Sequence, residues 1–286
     1  HHGTANERML AHYLLGCTYR DLKEAPMSLQ CYYDAVEAAD TTSSDCDYQT
    51  LMSIWGQIAN IHDSQCMPME ELDAWKQYRK YALLNNDTLN YIAGIEMCVS
   101  AYELLGDTVN LLQTTEKASK LFEKYGYKNR AAIAYATAIY VYLNRHNYDK
   151  AKKLITRYET ESGFFDKEGN AIKGREHFYK AKSIYYLDLD ILDSAQIYIN
   201  RLLNSRFSAD AYSLMMILHS KLGNVDSVRK YTRMLAIDLN ESVTKRTMES
   251  MRQVKGMYDY SRNQRIADNK AKETYNLKVA ISAIII

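Results

Sequence analysis

Proline occurs twice and glycine 11 times in 286 residues. A chain this poor in both lacks the turn residues that a strand-rich sandwich or barrel needs every few residues. No CxxC pair is present, and the five cysteines, Cys17, Cys31, Cys46, Cys66 and Cys98, are odd in number and confined to the first third. Neither a zinc site nor a full disulfide framework is indicated, and most are expected as small buried residues in helices. No signal peptide is read: Leu14-Leu15-Gly16-Cys17 resembles a lipoprotein cleavage site, but Glu7, Arg8 and His12 interrupt the apolar run that would have to precede it. Catalytic fingerprints are missing as well. There is no HExxH, GxSxG, P-loop or GxGxxG, and the seven histidines are scattered without an i, i+4 pair. An enzyme, a metal and a cofactor are therefore not expected.

What is abundant is tyrosine, 25 residues against 5 phenylalanines and 2 tryptophans. A long ring with a polar tip suits shallow interfaces between stacked helices, where the hydroxyl reaches water. The net charge of +1 conceals an asymmetry: residues 1–100 carry 14 acidic and 6 basic side chains, and residues 245–278 carry 4 and 9. A basic terminal segment suits an anionic lipid surface, an acidic partner or nucleic acid.

Residues 12 to 35 carry a spaced pattern: His12, Leu15-Gly16 and Tyr19, then Ser28, Tyr32 and Ala35. It resembles the tetratricopeptide repeat (TPR), a helix pair in which small residues let two backbones approach while aromatics fill the space beside them. Pro26 falls in the first turn of the second helix, where a missing N–H costs nothing. The two-helix pattern returns five times, at Leu51–Ala59 with Trp55-Gly56, then from Tyr91, Ala131, Arg175 and Ala211. The small or apolar residues opening the second helices, 28, 74, 111, 151, 195 and 228, are 46, 37, 40, 44 and 33 residues apart. These intervals mostly exceed the TPR length of about 34, so a long turn is expected before Ala74. Asp107-Thr108, Asp193-Ser194 and Asp226-Ser227 are expected to cap second helices. Ser162–Asn170 reads as an exposed loop whose Phe164 and Phe165 tuck against a neighbour; it lacks the spaced carboxylates of a calcium loop. The fold expected is an all-α, right-handed α-solenoid of about six TPR-like helix pairs over residues 1–238.

Beyond Leu239 the rhythm stops. Val243, Thr247, Met251, Val254 and Tyr258 form one helical stripe that can cap the last repeat. Residues 239–278 are read as a capping and stem helix. Val279–Ile286 is uncharged and apolar, too short to span a bilayer, which takes about 20 such residues. It reads as the start of a membrane span, with Arg262, Arg265, Lys270, Lys272 and Lys278 close to lipid headgroups.

With Ala38-Ala39-Asp40-Thr41-Thr42, Glu161–Asp166, Leu192-Asp193-Ser194-Ala195 and Tyr258–Gln264 added to the Leu15-Gly16 core, the chain resembles membrane-anchored TPR sensor proteins common in Bacteroidetes. That resemblance implies an extracytoplasmic array, here periplasmic, ahead of a single span and a signalling segment. It also implies a protein or peptide ligand in a concave groove lined by the first helices, for which Tyr13, Arg20, Ser53, Asn60, Glu96, Glu103, Tyr140, Asn144 and Lys180 are in phase. The chaperone-type carboxylate clamp is not expected, since Tyr13 and Cys17 occupy its first slots. The other reading of the same features is a soluble cytoplasmic scaffold or regulator whose basic C-terminal helix meets nucleic acid or an acidic partner; in the first reading this region does not touch nucleic acid directly.

Overall fold

A computed structural model describes residues 3–205 and 207–285, and of residues 278–285 the backbone alone. Among the described residues it holds helices and one isolated bridge, between Phe165 and Ala171. The helices are α1 (Ala5–Asp21), α2 (Ala25–Ala38), α3 (Tyr48–Ser64), α4 (Pro68–Leu84), α5 (Thr88–Glu96), α6 (Cys98–Leu104), α7 (Thr108–Lys124), α8 (Lys128–Ile133), α9 (Ala136–Asn144), α10 (Tyr148–Glu161), α11 (Phe178–Asp188), α12 (Leu192–Leu203), α13 (Ser208–Lys221) and α14 (Val225–Ile285). Two compact units contain them: Asp47–Val243, and the stretch up to Cys46 together with the stretch from Thr244.

In the Asp47–Val243 unit, each helix packs on its neighbours in the chain in a solenoid-like stack. The core is correspondingly a series of small clusters rather than one centre. Ile92, Ile95, Ala118, Phe122 and Ala131 make one, and Ile139, Leu143, Ile155, Tyr158 and Phe178 the next. Phe164 and Phe165 complete the second cluster by packing on Tyr158 and Phe178, as the loop reading anticipates. The Asp166 carboxylate accepts hydrogen bonds from the backbone and side chain of Asn170.

The stack has a clock that the TPR interval hides. Helical stretches open at Tyr48, Pro68, Thr88, Thr108, Lys128 and Tyr148, one every 20 residues. Between them lie three-residue turns of one type. Cys66, Asn86, Gly106, Gly126 and His146 hold the middle position at φ 56°, 55°, 69°, 83° and 53°. The N–H of each donates to the carbonyl of the next-to-last helical residue, and the N–H of the next residue reaches one carbonyl further, as in Asp107 to Tyr102. This left-handed cap satisfies the orphan carbonyls of one helix. Its last residue then serves as N-cap of the following helix. Asp87, Asp107 and Asn147 accept there from the backbone N–H three residues on, at 2.9, 3.0 and 3.2 Å, as Asp47 does ahead of α3 at 2.9 Å. The long turn expected before Ala74 is therefore absent, because α4 already begins at Pro68. Asp193 and Asp226 are not caps either: they sit inside the first turns of α12 and α14, and Asn224 caps the latter.

Two first helices are interrupted where a side chain takes a ladder carbonyl. Arg79 Nη1 donates to the Gly94 carbonyl at 2.9 Å, and the helix breaks at Met97 between α5 and α6. Ser119 Oγ donates to the Ala131 carbonyl at 2.9 Å; the Tyr135 N–H turns to Ala132, and α8 ends.

In the other unit, Gly16 gives the close approach that the TPR motif requires. A Cβ there would stand 2.5 Å from the Tyr32 ring, and Ser28 Oγ donates to the Gly16 carbonyl at 2.8 Å. Leu15, by contrast, is 46% exposed. Across the α1–α2 turn runs α14: Arg252 Nη2 donates to the Leu22 carbonyl at 2.9 Å, and Gly256 leaves room for the Glu24 carboxylate. The stripe expected to cap the last repeat faces outward instead, with Val243, Met251, Val254 and Tyr258 at 60–69% exposure. Polar residues on another face make the described contacts, so apolar periodicity misidentified the packed side.

Two substitutions test the turn geometry by urea denaturation. Gly106→Ala places a Cβ in the left-handed region and is expected to cost about 1 kcal/mol; Cys66→Gly relieves the same strain and is expected to gain about 0.5–1 kcal/mol.

Candidate functional site

The first helices of successive pairs in the larger unit meet at seams, and three of the groove candidates lie in them. Glu96 of α5 forms an ion pair with Arg130 of α8. Burial pushes the Glu96 carboxyl upward, while the guanidinium beside it pulls the other way. Further along, Lys180 of α11 bonds Asp210 of α13 at 2.7 Å, and its ammonium stands 5.9 Å from the Tyr140 ring of α9. The Tyr140 hydroxyl donates to the His177 carbonyl at 3.4 Å, a long bond. Burial raises the Tyr140 phenol, and the carboxylates of Asp210 and Glu103 raise it further. Glu103, Tyr140, Lys180 and Asp210 thus share one field, contributed by four helical segments.

The other candidates have different positions. Asn144 is exposed at the end of α9, and Asn60 is exposed near the end of α3. Ser53 is half-buried and spends its hydroxyl on the Gln49 carbonyl of its own helix. Tyr13 and Arg20 belong to the other unit. The Tyr13 ring lies tilted against Tyr32 in the α1–α2 contact, centroids 5.9 Å apart, and Arg20 bonds Asp21 at 2.8 Å. Of the basic residues assigned to lipid, Arg262, Arg265, Lys270 and Lys272 are exposed on α14. Lys278 and the apolar run Val279–Ile286 lie outside the described side chains. Among the described residues no helix is long and apolar enough to cross a membrane.

Arg130 and Asp210 escaped the sequence reading because they stand in first turns, ahead of the apolar positions that mark each repeat. A signal was available in charge complementarity at repeat spacing, since Glu96 and Arg130 are 34 residues apart. Lys182 escaped too. Its ammonium is buried on α11, donating to Glu159 of α10 at 2.6 Å and to the Tyr198 hydroxyl of α12 at 2.8 Å. Burial works against its charge, but the Glu159 carboxylate and the Tyr198 hydroxyl more than offset it, and the ammonium is held above its ordinary range.

No family model and no curated protein matches the chain. Two solved structures are similar to it over most of its length. The crystal structure of BtubC (BKLC) from P. vanneervenii is 12% identical with a TM-score of 0.52, covering 84% of this chain and 93% of that one. That of a Rap protein complexed with competence and sporulation factor is 16% identical with a TM-score of 0.57, covering 85% of this chain and 66% of that one. The chain has a helical-repeat fold. At these identities the likeness shows the fold alone, and the narrower resemblance to Bacteroidetes sensors gains no support from it.

Glu159→Gln leaves the Lys182 ammonium buried without its counter-charge and is expected to cost about 3 kcal/mol in chemical denaturation. Since the folded pKa of Lys182 is raised, its contribution is complete below the unfolded value of about 10.4 and is lost as pH rises through the folded one. The gap between wild type and Glu159→Gln should therefore close in alkali and stay constant between pH 7 and 9.

Proposed function

We propose that the chain is a non-catalytic binding module that takes a peptide or a protein segment along the face built by its first helices. The observation that carries this is a pair of polar and aromatic groupings between first helices, Glu96–Arg130 and Tyr140–Lys180–Asp210, with Glu103 and Asn144 exposed. Paired charges already held by packing present hydrogen-bonding groups at little further entropic cost. Successive first helices repeat them along a line, which suits an extended chain better than a compact metabolite. The Rap structure, in complex with competence and sporulation factor, lends this reading a helical-repeat precedent.

Peptides selected by display against the purified chain test the reading. Lys180→Ala combined with Asn144→Ala is expected to weaken the selected peptides by about 1–3 kcal/mol with little change in melting temperature. Tyr140 is unsuitable for this test because its ring is part of the helix contact. Selected peptides indifferent to the double substitution would remove the first-helix face from the account.

The finer reading is an interaction region next to a membrane, with the array on the periplasmic side. It is supported by the length of α14, which runs to Ile285, and by the exposed Arg262, Arg265, Lys270 and Lys272 along it. Flotation with vesicles rich in phosphatidylserine measures it: changing these four residues to Gln should reduce association by about 1 kcal/mol per charge near the surface. Equal flotation of both forms would favour the cytoplasmic scaffold.

A further inference from the structure

Among second-helix side chains of the larger unit, three first-helix segments each form the floor between two second helices. Three such clefts are equivalent by repeat. Tyr135, Ala138 and Tyr142 floor the cleft between α7 and α10, 40 residues after Ile95, Cys98 and Tyr102, which floor the cleft between α4 and α7. Lys182 occupies the corresponding floor between α10 and α12. The three floors are used differently. In the first, Arg79 reaches over the floor to the Cys98 thiol at 3.0 Å. In the third, the Lys182 ammonium fills the space itself, bonded to Glu159 and Tyr198.

The middle cleft has the smallest floor residue, the buried Ala138, and a volume of about 340 Å³, against about 430 Å³ for the first. Leu112 and Leu154 wall it, and the rings of Tyr135 and Tyr142 line it. Its rim is basic. Lys150, Lys153 and Arg157 lie on one face of α10. Lys150 Nζ stands 5.3 Å from the Tyr142 ring, and the Arg157 guanidinium stands 5.3 Å from that of Tyr135. Arg157 is also bound to Glu123 and Glu161, while the rim carboxylate, Glu116, is drawn to Lys120 at 2.6 Å. A pocket of this size that sets aromatic and aliphatic walls against convergent polar groups has the form of a small-ligand site. Here those groups are chiefly cationic.

We propose that the cleft over Ala138 binds a carboxylate carried on an apolar body of side-chain size, with the body between Tyr135, Tyr142, Leu112 and Leu154 and the carboxylate at Lys150 and Lys153. Two sources share that chemistry, the C-terminal residue of a peptide and a free organic acid. The site is separate from the first-helix seam, so either can fail without the other.

Titration calorimetry on the full chain tests it with 3-phenylpropionate and with a tripeptide ending in phenylalanine, each as the free acid and as the amide. The acid form is expected to bind with a dissociation constant of about 1 mM or tighter, and its amide about tenfold more weakly. Tighter binding of the tripeptide identifies a peptide end, and tighter binding of phenylpropionate a free acid. Ala138→Leu, which fills the floor, and Lys153→Glu, an exposed change that leaves folding intact, should each weaken binding about tenfold or more. If Ala138→Leu does not fold, Lys153→Glu decides alone. Equal binding of acids and amides, no effect of Lys153→Glu, or no binding of either acid at about 10 mM would overturn the proposal.

Discussion

Between one helix and the next, the central stack has three residues in which to satisfy the carbonyls it leaves and the N–H groups it is about to expose. The solution is a left-handed residue at 66, 86, 106, 126 and 146, followed by a residue that closes the old helix with its N–H and opens the new one. Where that residue is Asp or Asn, its side chain also caps the new helix. Everything else depends on this economy. With the turn fixed at three residues and the interval at 20, each helix meets its neighbours at a constant register. Small residues such as Gly94, Ala118 and Ala131 then recur at helix crossings.

The same register explains the two faces of the stack. Residues a few positions apart on a first helix point to opposite sides. Lys180 reaches the neighbouring first helix at Asp210, whereas Lys182, two residues on, reaches the second helices through Glu159 and Tyr198. One face becomes a charged and aromatic seam; the other becomes a row of clefts that differ in the floor residue and in the charges around it. Cys98, Ala138 and Lys182 show three outcomes at that position.

Much of this was legible in the chain. The helix pairs are marked by Ser28, Ala74, Leu111, Ala151 and Ala195, all buried. Asp107 caps as its sequence suggests, and two phenylalanines in a polar loop signalled a packed contact, which the structure places on Tyr158. The regular 20-residue interval was not legible, because the markers occupy different positions within their helices and the left-handed turn residue is Gly in some turns and Cys, Asn or His in others. Nor was the packed side of α14: a stripe of Val, Met and Tyr is the usual sign of a buried face, yet Arg252, Gln253 and Gly256 meet the α1–α2 turn. In the candidate site, Glu96, Tyr140 and Lys180 could be placed from helical phase. Their partners Arg130 and Asp210 could not, since helix phase says nothing about which first-turn charges face across a seam.

The most direct measure of the account is the thermal unfolding of two single-residue deletions. Removing Glu116 from the middle of α7 turns the following half of that helix by about 100° and takes Ala118 and Phe122 out of register with α5 and α8. Removing Lys167 shortens the loop after α10 and leaves every helix intact. The account predicts a melting temperature lower by about 10 °C or more for the first and by no more than about 2 °C for the second. Equal losses, or a tolerated deletion at Glu116, would contradict the claim that fixed helix length holds the stack together.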